Sequence, residues 1–136
     1  MATLGTKLSL NIAAGGLTSN ALALSINKNL TVQEGGIRVI EVNATSVGSS
    51  ASAIYTPTSS NPTTKPVYLY LKNLDATATD YIYVYADTSS DDPVVFQLGG
   101  GEFLFAPLED GTAFKAYATT TGTLLEVGVF GTDQLG

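Results

Sequence analysis

The chain has 136 residues, of which 44% are hydrophobic and only 13% charged, with a formal charge of −6, a pI near 4.2 and no His or Cys. That length suits one domain with a core of its own, while the missing side chains exclude a Ser-His-Asp triad, a thiol nucleophile and zinc held by His or Cys. The six cations, Lys7, Lys28, Arg38, Lys65, Lys72 and Lys115, are scattered, which excludes a phosphate-binding face and with it nucleic acid.

The N-terminal MATLGTKLSL holds one Lys and no continuous apolar run, so it does not read as a secretory signal. The longest apolar stretches are too short to span a bilayer. Synthesis in a cytoplasm without export and no membrane partner are the expectation, and the sequons at Asn29 and Asn43 read as chance matches.

In chain order, the region 1–44 offers alternating runs: Leu8, Leu10 and Ile12; Leu22, Leu24 and Ile26; Leu30 and Val32; Ile37 and Val39. Period-two alternation predicts strands, forming a first sheet or an arm. Ala13 to Gly16 and Glu34-Gly35-Gly36 are expected to turn the chain between them. A single helical turn near Leu17 to Leu24 is the one competing element. Residues 45–66, rich in Ser, Thr and Pro, read as a long loop with only Ile54 and Tyr55 to anchor it. That loop either separates an N-terminal arm from the rest or crosses between the sheets of a single sandwich.

From 67 to 136 the strands become regular: VYLYL, YIYVY, VVFQL, EFLFAPL, AFKAYA and LLEVGVF. Val67, Leu69, Leu71, Ile82 and Val84 point one way, toward a core. Tyr68, Tyr70, Tyr81, Tyr83 and Tyr85 point the other. An amphipathic ring with a hydroxyl tip is what contact surfaces are enriched in, so these five tyrosines are the candidate interface. The plainer reading is that Tyr is a good strand former whose hydroxyl reaches solvent.

Chemistry has few candidates. Asp75, Asp80, Asp87, Asp91 and Asp92 crowd the loops around YIYVY, and Asp87, Asp91 and Asp92 are candidate calcium ligands, although the spacing is not that of an EF-hand and Asp is also a turn residue. Glu102, Glu109, Asp110 and Glu126 are the carboxylates available for acid and base work. No Ser-x-x-Lys or G-x-S-x-G motif occurs, and Gly99-Gly100-Gly101 has no following Lys to make a phosphate loop. Glu102, after those glycines, is expected to accept backbone N–H bonds at the turn, with Pro107 ending the strand that follows. The chain reads as non-enzymatic, without catalytic residues, cofactor or committed metal.

The pieces VYLYLKNLD, YIYVYAD, LGGGEFLFAPL, AFKAYA and LLEVGVFG, in this order, resemble a pattern in small virion proteins of tailed bacteriophages, particularly those of aquatic hosts. The opening TKLSLNIAAGGLTSNALALSINKNLTV is similar to the openings of such proteins, with Ser19, Leu22, Leu24, Leu30 and Val32 in a loose S-x-x-L-x-L rhythm. The resemblance implies a β-sandwich subunit on the virion exterior. A capsid decoration (cement) protein is the first expectation, bound to the major capsid protein and to itself as a homotrimer. A tail or head-fibre module that binds a host glycan or protein is the second. The expected fold class is all-β, an antiparallel β-sandwich or jelly roll.

Overall fold

The computed structural model describes residues 2–12, 22–32, 34–48, 50–57, 67–88, 92–108 and 111–131. Ten strands and no helix occur among them. The expected turn at Ala13 to Gly16 lies outside the described residues, as does most of the segment proposed for a helical turn; its last part, from Leu22, is strand.

Two compact units divide the chain, residues 1–32 and 33–136. The first is an antiparallel hairpin of β1 (Ala2–Ile12) and β2 (Leu22–Val32). Its register sets Leu8 opposite Ile26 and Leu10 opposite Leu24 on one face, with Thr6 opposite Lys28 next in line. Lys7, Ser9, Ser25 and Asn27 share the other face. Alternation of Leu and Ile with Ser, Asn and Lys is what sorts the faces.

The second unit holds β3 (Glu34–Val42), β4 (Ser52–Tyr55), β5 (Val67–Asn73), β6 (Ile82–Asp87), β7 (Val94–Leu98), β8 (Phe103–Leu108), β9 (Ala113–Ala118) and β10 (Thr123–Gly131). One sheet runs β3-β10-β5-β8 and the other β4-β9-β6-β7, with every pair antiparallel. Counted from the first strand of this unit the orders are 1-8-3-6 and 2-7-4-5, the two interlocked Greek keys of a jelly roll. The all-β sandwich expected from the alternation is the fold.

The core lies between the sheets. Val67, Leu69 and Leu71 from β5, Ile82 and Val84 from β6, and Leu125 and Val127 from β10 are all buried there, with Ile54 and Phe114. Each such side chain contributes about 1.5–3 kcal/mol on burial. Asn73 is buried among them without losing its hydrogen bonds. Its amide donates to the carbonyls of Asp80 (2.7 Å) and Leu98 (3.0 Å) and its Oδ1 accepts from the N–H of Asp75 (3.0 Å).

Three boundaries differ from the sequence reading. The unit boundary falls at residue 32 rather than 44, because β3 pairs along its whole length with β10 and so belongs to the sandwich. Gly35 and Gly36 are strand, not turn: the Phe130 ring of β10 lies over Gly35, where a Cβ would meet it. The segment 45–66 is not loop throughout, since Ser52–Tyr55 pairs with β9 and buries Ile54 and Tyr55.

Candidate functional site

The outward faces of the two sheets carry what the core does not use. On the sheet β3-β10-β5-β8, register places Ile37, Gly128, Tyr70 and Phe105 in one row across the four strands, and Val39, Glu126, Lys72 and Phe103 in the next. Ile37 is 60% exposed, Val39 53% and Phe103 64%; Leu124 and Phe105 are exposed as well. Tyr68 stacks on Phe105, rings parallel within 3° and centroids 6.0 Å apart. Gly128 makes room for the Phe130 ring and Ile37, which a Cβ there would strike. The Tyr70 hydroxyl donates to Glu126 Oε1 at 2.8 Å. Partial burial pushes its pKa above the ordinary 10.0, and the Glu126 carboxylate adds to the rise through that bond and its charge.

On the sheet β4-β9-β6-β7, Tyr83 sits opposite Tyr117 and the rings stack with centroids 5.0 Å apart; Tyr81 tilts against Tyr83 at 6.3 Å. All three are half-buried. Below them Lys115 and Asp87 form an ion pair at 2.8 Å, which raises the Lys115 pKa.

The five tyrosines expected to form one contact face therefore divide. Tyr68 and Tyr70 lie on one outer face of the sandwich, and Tyr81 and Tyr83 on the other. Tyr85 is on neither exposed surface: its ring is fully buried with Ala44, Ala51 and Tyr117, and its hydroxyl reaches the backbone of Gly48. The 43–48 segment folds back over Tyr85 and is tied to β9, where the Ala118 N–H donates to the Ala44 carbonyl, and the small side chains of Ala44 and Ala51 let it close on the ring. Sequence reasoning missed Ile37, Val39, Leu124, Phe103 and Phe105 as surface groups, although the alternation of Phe103 and Phe105 with Leu104 and Ala106 carried the signal.

Of the three candidate metal ligands, the two that are described have other partners. Asp87 is engaged by Lys115, Asp92 accepts the Thr88 N–H at 3.0 Å within its own turn, and Asp91 lies outside the described residues. No group of three or more acidic side chains placed to hold a metal occurs among the described residues. Asp75 caps Thr77 N–H and Asp80 accepts from the Thr120 hydroxyl. Glu102 does what its place after three glycines implies, accepting the Gly99 N–H at 2.7 Å. Gly100 lets residues 75–77 pass so close that a Cβ would strike the Thr77 carbonyl, and Gly101 turns with φ of 80°. Glu126 is taken by Tyr70, while Glu109 and Asp110 lie outside the described residues.

A cleft of about 550 Å³ opens where β3 and β4 meet at the sandwich edge, lined by Gly35, Gly36, Ile37, Arg38 and residues of β4 and β10. Its one charged lining group, Arg38, donates to the carbonyls of Ala53 (3.3 Å) and Ile54 (3.0 Å). The guanidinium thus ties the two edge strands together across the cleft mouth.

What the fold and these surfaces define is a jelly roll whose distinctive features are exposed apolar and aromatic sheet faces. Compared with family models, with curated proteins and with solved structures, the chain matches none. No helix among the described residues is long and apolar enough to cross a membrane.

Proposed function

We propose that this chain is a non-enzymatic structural protein of a tailed-bacteriophage virion, a decoration (cement) subunit on the capsid exterior that binds the major capsid protein and further copies of itself. One observation carries the reading: the outer face of β3-β10-β5-β8 exposes Ile37, Val39 and Leu124 toward one edge and Phe103 and Phe105 at the other, with Tyr70, Glu126 and Lys72 between them. Large apolar and aromatic side chains on a sheet face, with a few polar groups among them, are what subunits that pack beside others present. The motif order noted in the sequence supplies the phage context. Jelly rolls build both viral shells and lectins, so the fold is compatible with the role without assigning it.

Shell stability would come from many modest contacts acting together, with a trimer as the natural repeating unit at a threefold axis. The test is quantitative mass spectrometry of purified particles. A copy number in keeping with that of the shell subunit is expected; absence from the particle, or a handful of copies, removes the decoration role.

A second reading rests on the half-buried Tyr81, Tyr83 and Tyr117 rings, which make an aromatic platform suited to the apolar face of a sugar ring. It describes a tail or head-fibre module that binds a host glycan. Binding of the purified protein to host cells, lost in Tyr83→Ala, with few copies per particle would favour it over decoration.

A further inference from the structure

Among the described residues two apolar surfaces are exposed, and their flanking charges are opposite. On the hairpin, Leu8, Leu10, Leu24 and Ile26 are between 42% and 53% exposed and share one face. On the sandwich, Ile37 and Val39 of β3 belong to the exposed face of β3-β10-β5-β8. At ordinary strand rise and spacing the stretch 6–10 with 24–28 of that face covers about 160 Å², and four strands of seven residues present about 450 Å². The smaller footprint fits within the larger, on its β3 side.

Charge sorts the same way. Residues 1–32 carry Lys7 and Lys28 and no Asp or Glu, a formal +2; the chain totals −6, so residues 33–136 hold −8. The match extends to single positions. Along the apolar face of β2, Leu24 and Ile26 are followed by Lys28, whereas along the outer face of β3, Ile37 and Val39 are followed by Glu41. Lys28 and Glu41 are both exposed. Two apolar side chains and then a charge of opposite sign give a paired surface its register as well as its attraction. Two hairpins laid face to face would bring together like charges only.

We infer that the N-terminal hairpin of one copy packs its Leu8, Leu10, Leu24 and Ile26 face on the outer face of β3-β10-β5-β8 of a second copy, with Lys28 set against Glu41. Such a contact joins two different surfaces and is therefore heterologous; each copy gives an arm and receives one, and a rotation that closes makes a ring. A single contact of this area is at the weak end of specific interfaces, which suits repetition around a ring. The inference deepens, and rests on, the self-association part of the function proposed above.

The chain has no cysteine, so a single introduced thiol reports one position. Ile26→Cys and Val39→Cys variants of the full chain, each pure and then mixed, are oxidised under mild conditions, and the products are resolved by mass after one variant has been isotope-labelled. The mixed-pair disulfide should exceed either homodimer several-fold. Predominance of the Ile26→Cys homodimer would replace the inference with hairpin-to-hairpin packing, and predominance of the Val39→Cys homodimer with sheet-to-sheet packing. Charge reversal supplies a readout that does not depend on the thiols: by sedimentation, Lys28→Glu should weaken association roughly tenfold, and mixing it with Glu41→Lys should recover it. A chain that stays monomeric at every concentration overturns the inference. These measurements use purified protein alone, so their failure leaves the virion location standing, and absence from particles leaves the contact between copies standing.

Discussion

At the scale of single residues, several polar side chains are used to hold loops in place. Asn73 shows this most sharply, because one buried amide serves two carbonyls and its Oδ1 takes a third partner from the loop that follows β5. Asn73→Ala should therefore cost roughly 3 kcal/mol, since buried partners lose bonds that no water replaces. Thermal melting checks it, and a drop of about 10 °C or more is the expected result. Tyr70 gives a pH signature. Its phenol is held protonated in the fold by burial and by Glu126, so its contribution is complete below the ordinary pKa of 10.0 and is lost as pH rises through the higher folded value. Melting temperature against pH should fall above about pH 10, and less steeply in Tyr70→Phe, where no phenol remains to ionise. Equal slopes in the two proteins would mean that the alkaline loss arises elsewhere.

At the scale of elements, the alternation in VYLYL and YIYVY reveals which side chains enter the core, and each aliphatic position of β5 and β6 named from sequence is buried. Alternation is a property of one strand, so it shows nothing of which sheet the strand joins. That is why Tyr68 and Tyr70 looked continuous with Tyr81, Tyr83 and Tyr85, although β5 and β6 stand in opposite sheets. The burial of Tyr85 depends on Ala44 and Ala51, remote in sequence and unremarkable in composition. Likewise Gly35-Gly36 has the composition of a turn, and only the Phe130 ring on the neighbouring strand explains glycine at position 35. Glu102 was legible because its partner, Gly99, is three residues away. The two tyrosines of β6 should part company on mutation. Tyr85→Ala leaves a core cavity and should cost about 3–5 kcal/mol, whereas Tyr83→Ala should cost about 1 kcal/mol of monomer stability and act mainly on oligomerisation or particle binding. Chemical denaturation and sedimentation of both variants decide it, and equal losses of stability would make Tyr83 ordinary core.

At the scale of the whole molecule, the two units have unequal means of support. The sandwich closes a core between two four-stranded sheets, with β3 pairing with β10 so that its first and last strands lock together. The hairpin has one pair of strands, marginal by itself in water, and of its apolar face Leu30 and Val32 are buried while Leu8, Leu10, Leu24 and Ile26 stay exposed. If a neighbouring copy supplies the missing layer, protection of the hairpin amides must depend on protein concentration, while that of the sandwich does not. Hydrogen exchange read by mass spectrometry across a dilution series tests this directly. The β1 and β2 amides should exchange rapidly in dilute protein and slow by an order of magnitude or more on assembly, and those of β5 and β10 should remain slow throughout. Hairpin amides as slow as those of β10 at the lowest concentration would show that this arm is stable uncovered, and its exposed leucines would no longer call for a partner.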